Sequence, residues 1–140
     1  MINNTIHSAT IEVITSFHDT DAMGVVWHGN YLKFFEKARE ALFKKFNYGY
    51  KEMLDSGYVW PIIDTRVKYV VATIAEQTLQ ITVQLAEYEN RIKLNYIVRD
   101  AITGKKTTTG YTIQVAVNAV NKEMSFVTPP IFLERFGLIT

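Results

Sequence analysis

Apolar and polar positions along the chain change their period twice. Thr10 to Phe17 is rich in β-formers and reads as a strand with Ile11, Val13, Thr15 and Phe17 on one face. The polar loop His18 to Gly24 follows. From Tyr31 to Phe46 the period becomes helical, with Tyr31, Phe34, Phe35, Ala38, Leu42 and Phe46 on one stripe that Ala41 and Phe43 widen. Lys33, Lys37, Glu40 and Lys44 supply the wet side. Asn30 is placed to cap this helix, and Gly49 lies where it should already have stopped. A short helical turn is predicted over Tyr50 to Ser56, closed by Gly57. Everything beyond reads as sheet. Tyr58 to Val71 is β-rich, with Pro61 predicting an edge or a bulge near its start. In Thr78 to Leu85 the apolar Leu79, Ile81, Val83 and Leu85 alternate with polar neighbours, and Ile92, Leu94, Tyr96 and Val98 repeat the pattern. Asp100 to Gly104 carries turn chemistry, and Lys106 to Val117 is a last long strand. The tail, Thr128 to Phe136, opens on two prolines and predicts a short terminal helix. One long apolar helix among several antiparallel strands is an α+β layout, and covering that helix on more than one side calls for a strongly curved sheet.

Composition narrows the function classes. At 140 residues the chain reads as a single domain, 1–140, able to bury a real core. Its net charge of +1 argues against nucleic acid as a partner, because phosphate binding wants a clear basic excess. The absence of cysteine removes disulfides, thiolate metal sites and cysteine nucleophiles together. Neither a signal-peptide pattern nor an apolar run long enough for a bilayer is present, so no membrane insertion and a cytoplasmic setting are expected. Eight Phe and eight Tyr are core material first, with some available to line an acyl or aryl pocket.

The chemistry concentrates in Asp19 to Tyr31, DTDAMGVVWHGNY. Two carboxylates, a turn glycine and an imidazole stand beside a helix start, where backbone N–H groups are unpaired and a partial positive charge resides. A carboxylate beside such donors is equipped to attack a polarised carbonyl, or to help water do so. His18, Asp19, Asp21 and His28 would suit a divalent ion by type, but their spacing matches no ligand signature, and no metal is expected. Asp19 is expected to serve the turn, and His18 to lie at the surface. On the helix, Glu36, Arg39 and Glu40 read as solvated surface.

The segment FHDTDAMGVVWHGNYLKFFEKARE, Phe17 to Glu40, resembles the 4-hydroxybenzoyl-CoA thioesterase family of acyl-CoA thioesterases. The likeness extends loosely over almost the whole chain and implies a hotdog fold, a curved antiparallel sheet wrapped around one central helix. The matching residues are Asp-x-Asp, Gly-Val-Val, an aromatic, His and Asn-Tyr before a helix containing Glu-Lys-Ala-Arg. By this resemblance Asp21 is the catalytic carboxylate, as nucleophile or as general base on water. The N–H of His28 is the oxyanion donor, its imidazole belongs to the site, and Gly24, Gly29 and Asn30 support turn and oxyanion site. Related hotdog enzymes use a helix glutamate instead, which makes Glu36 the reserve candidate. Arg91, Lys93 and Lys68 are the candidate coenzyme A cations. Ala75, Glu76 and Gln77 depart from the family's Pro-containing loop before the third strand.

The resemblance further implies an acyl-CoA substrate (or an acyl carrier protein thioester), no cofactor, and a homodimer or homotetramer with each site at a subunit junction. Two other readings stay open. A hydroxyacyl-thioester dehydratase shares the fold, but its His-Phe-Pro-Gly signature is missing. A non-catalytic acyl-CoA-binding module would bind without turnover and would not need Asp21.

Overall fold

The computed structural model describes residues 1–138. Five strands form one antiparallel sheet in the order β1-β4-β5-β6-β3: β1 is Ser8–Ile14, β3 Ile62–Tyr69, β4 Thr78–Glu87, β5 Ile92–Asp100 and β6 Lys106–Gln114. A two-stranded ribbon pairs β2, Tyr58–Val59, with β7, Val117–Asn118. The long helix α1, Asn30–Lys45, lies on one face of the sheet, and two short helices, α2 (Tyr50–Asp55) and α3 (Pro130–Arg135), close the ends. This is the hotdog arrangement.

The core is where the periodicities put it. Tyr31, Phe34, Phe35, Ala38, Leu42 and Phe43 are the buried residues of α1. Leu79, Ile81, Val83 and Leu85 of β4 and Ile92, Leu94, Tyr96 and Val98 of β5 meet them from the sheet. Phe35 stacks on Tyr96 with ring centroids 4.3 Å apart. Gly110 of β6 makes room for it, since any Cβ there would stand within 3 Å of the Phe35 ring. Near the C-terminal end of α1, His7, Phe43, Phe46, Phe132 and Phe136 form a second aromatic cluster. His7 is buried with both ring nitrogens engaged: Nδ1 accepts the Asn3 N–H at 2.9 Å, and Nε2 lies 2.7 Å from the Phe136 carbonyl.

Several boundaries differ from the sequence expectation. The first strand stops at Ile14; Ser16 caps a 3-10 turn, Phe17–Asp19, which turns Phe17 out to solvent. Asn30 is not the cap of α1. Gly29 takes that position, and Asn30 is the first helical residue, its side-chain amide donating instead to the Asp19 carbonyl at 2.8 Å. As expected, α1 has stopped before Gly49, at Lys45, and Gly49 caps the start of α2. The β-rich stretch after Gly57 breaks at Trp60–Pro61 into two strands of different sheets, whereas the edge position of β3 and the register shift between Ile62 and Asp64 are what Pro61 predicts. The last long strand ends at Gln114, and Val117 already belongs to the ribbon.

The two sheet edges are not equivalent. Along β1, Lys45 Nζ covers the carbonyls of Ile6 and Ser8 at 2.7 and 2.9 Å. Along β3 every residue but Val67 is exposed, Ile62, Ile63 and Tyr69 among them.

Candidate active site

The loop from Ser16 to Gly29 is built by its own hydrogen bonds. The buried Asp19 carboxylate accepts the Ser16 N–H at 2.8 Å and the Ser16 hydroxyl at 3.0 Å. These bonds, the backbone one foremost, hold its pKa below the ordinary aspartate value. Its carbonyl accepts both the Trp27 N–H, at 2.9 Å, and the Asn30 amide. Asp19 therefore ties the start of the loop to the start of the helix. Thr20 and Val26 form a β-bridge, and the turn between them is closed by Gly24 N–H to Asp21 carbonyl at 3.0 Å. Gly24 has φ +80°, a left-handed conformation that glycine adopts without steric cost.

Asp21 sits at the first position of that turn. One carboxylate oxygen accepts the Met23 N–H at 2.8 Å, which fixes the rotamer. The residue is half-buried and lines a cavity of about 220 Å³ together with Val25, Val26, His28, Tyr31 and Tyr69. The N–H groups of His28 and Gly29 find no acceptor among the described residues, whereas the next two, Asn30 and Tyr31, donate to Trp27 and His28. A residue with a free backbone donor and a carboxylate residue thus line one cavity at the N-terminus of a 16-residue helix. That arrangement suits a carbonyl that becomes an oxyanion.

Of the expected site residues, Asp21 and His28 line this cavity, while Gly24, Gly29 and Asn30 shape the backbone around it. Gly29 has ordinary helical angles; its need is for space, because a Cβ would collide with the Trp27 indole. Glu36 is elsewhere, on a larger cavity of about 530 Å³ between α1, α2 and β2, walled by Phe43, Met53, Tyr58, Trp60 and Gln114. The candidate cations do not reach Asp21 within one chain. Lys68 lies on the sheet face opposite to its neighbours Val67 and Tyr69, since Val67 pairs with Gly110, which faces Phe35. Lys93 rests on the Tyr111 ring at 4.7 Å, and Arg91 pairs with Glu87 at 3.2 Å. Both stand toward the Ile62 end of the sheet, five rows (Lys93) and seven rows (Arg91), or on the order of 20 Å, from Tyr69. Among the described residues no group of three metal-ligand side chains is gathered.

Tyr69 is the residue that the sequence reading missed. Its hydroxyl donates to the His28 carbonyl at 2.9 Å across 41 positions of sequence. Burial raises its pKa above the ordinary tyrosine value, with Tyr31 nearby adding to the effect. As one more aromatic in a β-rich run, it carries no local signal.

A family model described as the thioesterase-like superfamily matches residues 15–136. The chain belongs to that superfamily. It is 29% identical over 97 residues to the acyl-CoA thioesterase YbgC of Haemophilus influenzae, a match spanning 64% of this chain and 71% of that protein. Among solved structures, a DHNA-CoA thioesterase from Staphylococcus aureus superposes with a TM-score of 0.82 at 24% identity, covering 93% of this chain and 89% of the other. The 4-hydroxybenzoyl CoA thioesterase of Pseudomonas sp. strain CBS-3 gives 0.80 at 20% identity, covering 92% and 99%. These likenesses establish the hotdog fold, and the family is one of thioester-hydrolysing enzymes. No helix among the described residues is long and apolar enough to cross a membrane.

Proposed function

We propose that this protein hydrolyses an acyl-CoA thioester to the free acid and coenzyme A, with Asp21 as the carboxylate and the His28 N–H as the oxyanion donor. The observation that carries this reading is that His28, whose N–H at the start of α1 has no acceptor among the described residues, and Asp21 line the same cavity. As general base, Asp21 takes a proton from water while the water oxygen adds to the thioester carbon. As nucleophile, it forms an acyl anhydride that water then opens. In both routes charge collects on the carbonyl oxygen in front of the His28 N–H. The C–S bond then breaks, and the departing coenzyme A sulfur leaves as thiolate and takes up a proton.

The site is completed by a second copy. The exposed edge of β3 offers unpaired backbone groups flanked by Ile62, Ile63, Tyr69 and Val70, which suits antiparallel pairing with another β3. A two-fold axis through the middle of an eight-residue strand sets the Ile62 end of one copy beside the Tyr69 end of the other. The 530 Å³ cavity of one chain then adjoins the Asp21 cavity of its partner, and its size lies in the range of small-molecule sites. Its aromatic wall takes the acyl group. The same pairing moves Arg91 and Lys93 toward the partner's Asp21 cavity, where the coenzyme A phosphates need cations.

The test is free-thiol release from a panel of acyl-CoAs by wild type and Asp21→Asn. The expected outcome is turnover of at least one substrate, reduced at least about 100-fold in the variant. Unchanged turnover in Asp21→Asn overturns the assignment and passes the role to Glu36. Tight binding without turnover makes the protein a binding module.

A further inference from the structure

An oxyanion donor is only as good as the backbone that aims it. The His28 N–H lies in the Trp27–His28 peptide plane, and its direction relative to the rest of the helix start is set by that rigid plane and by the φ and ψ of His28 that join it to the following plane. The plane before His28 is held through its carbonyl: Trp27 oxygen accepts the Asn30 N–H at 2.9 Å. The plane after it is held through the His28 carbonyl, which accepts the Tyr31 N–H at a long 3.4 Å and the Tyr69 hydroxyl at 2.9 Å. By distance the Tyr69 bond is the well-made one.

We propose that Tyr69 is the positioning residue of the oxyanion site, its hydroxyl fixing the backbone of His28 so that the free N–H meets the thioester carbonyl. The proposal rests on the thioesterase reading of Asp21 and His28 above. Three features support it. First, the ring is itself held, with Tyr31 edge-on at 5.3 Å and His28 at 6.3 Å, and its backbone sits in a strand opposite Thr108. The anchor is therefore the sheet, not another loop. Second, the Tyr31 hydroxyl is 2.6 Å from Thr73 Oγ1 and does not compete for the His28 carbonyl. Third, the raised pKa keeps Tyr69 a proton donor through neutral and mildly alkaline pH.

The bond has a second consequence. It polarises the peptide that carries the other unpaired donor of this junction, the Gly29 N–H. Donating into a carbonyl strengthens the N–H of the same peptide. Tyr69 thus orients one free donor and sharpens its neighbour without touching the reacting atoms. It also brings the edge strand β3 into the site, so the element offered to a second copy is the one that steadies the oxyanion donor.

The test is Tyr69→Phe, which keeps the ring and removes one hydroxyl. On a substrate turned over by wild type, kcat is expected to fall about 3- to 30-fold, the span of one neutral hydrogen bond to a partial loss of oxyanion stabilisation. KM should stay within about twofold, and the urea midpoint should move little, since residue 69 is half-exposed. A second readout is independent of turnover. In Asp21→Asn protein a bound acyl-CoA should show its thioester carbonyl stretch at lower frequency than in water, and adding Tyr69→Phe should shrink that displacement. Wild-type kcat in Tyr69→Phe, a loss confined to KM, or an unchanged carbonyl stretch overturns the role of Tyr69 while leaving Asp21 and His28 in place. Failure of wild type to release thiol from any acyl-CoA removes the thioesterase reading, and this proposal falls with it.

Discussion

Gly29→Ala is the substitution whose cost can be worked most directly from the structure. With φ −66° and ψ −23°, an alanine at 29 meets no torsional strain. What it meets is the Trp27 indole, whose Cη2 and Cε3 stand 2.5 and 2.8 Å from the added methyl. The ring must shift, at most losing its packed surface. Trp27 is 49% exposed, so about half of its surface is packed against the loop and helix start. A tryptophan buries up to about 250 Å², and half of that at about 25 cal/mol per Å² is about 3 kcal/mol, an upper bound. Replacing glycine returns about 0.4–1 kcal/mol by restricting the unfolded chain. The net cost is therefore at most about 2 kcal/mol, read as a lower urea midpoint at constant m. The decisive arm is the same change in Trp27→Ala protein. With the indole gone the clash is gone, and Gly29→Ala should then be neutral or slightly stabilising, a coupling of up to about 2 kcal/mol in the double-mutant cycle. An equal cost in both backgrounds would refute the claim that Gly29 exists to accommodate the ring.

Gly24→Ala places a side chain at φ +80° in the turn that carries Asp21, at a cost of about 1–2 kcal/mol in urea unfolding. His7→Phe preserves the stacking but orphans the Asn3 N–H and the Phe136 carbonyl; a loss of about 1–3 kcal/mol per buried group is the ceiling, and a fall in Tm is the reading. Asp19 has a folded pKa below its unfolded value of 3.8, so its contribution is present above pH 4 and is lost as pH falls through the folded value. Asp19→Asn should therefore flatten the acid limb of stability between about pH 5 and pH 2, and an unchanged slope would show that Asp19 does not supply it. If a second copy covers the apolar edge of β3 as proposed, glutamate at both Ile62 and Ile63 should lower the apparent mass in sedimentation and reduce turnover in step with it.

What the chain makes legible is what short-range periodicity can carry. The stripe from Tyr31 to Leu42 and the alternation of Leu79 to Leu85 each specify an element and its buried face, because the burden of covering apolar surface repeats every few residues. The boundaries at Phe17 and Trp60 are not visible in the β-rich runs that hold them, because hydrogen bonds rather than residue type make the interruptions: a local one from the Ser16 N–H to the Asp19 carboxylate, and a tertiary one from the Gln114 amide to the Trp60 carbonyl at 2.8 Å. Residue type makes Asn30 a cap candidate, whereas its acceptor, the Asp19 carbonyl, is contributed by a loop 11 residues earlier. Residue type alone does not reveal which of two uses a side-chain amide will find.

The site divides along the same line. Asp21, Gly24 and His28 fall within eight residues, so a motif can hold them, and the turn that joins them is closed by local bonds. Tyr69 is tied to His28 only through the sheet, and Trp60, Gln114 and Arg91 lie at the far end of that sheet. If two copies pair along β3, those distant residues become neighbours of Asp21 without any change in the chain itself. A strand about 23 Å long, read by a two-fold axis, is then the ruler that brings the acyl pocket of one chain to the carboxylate of the other. The demand on β3 is correspondingly double. Its inner face must seat Tyr69 against the helix start, and under the proposed pairing its outer edge must stay open, which would account for a strand with seven of its eight residues exposed in a single chain.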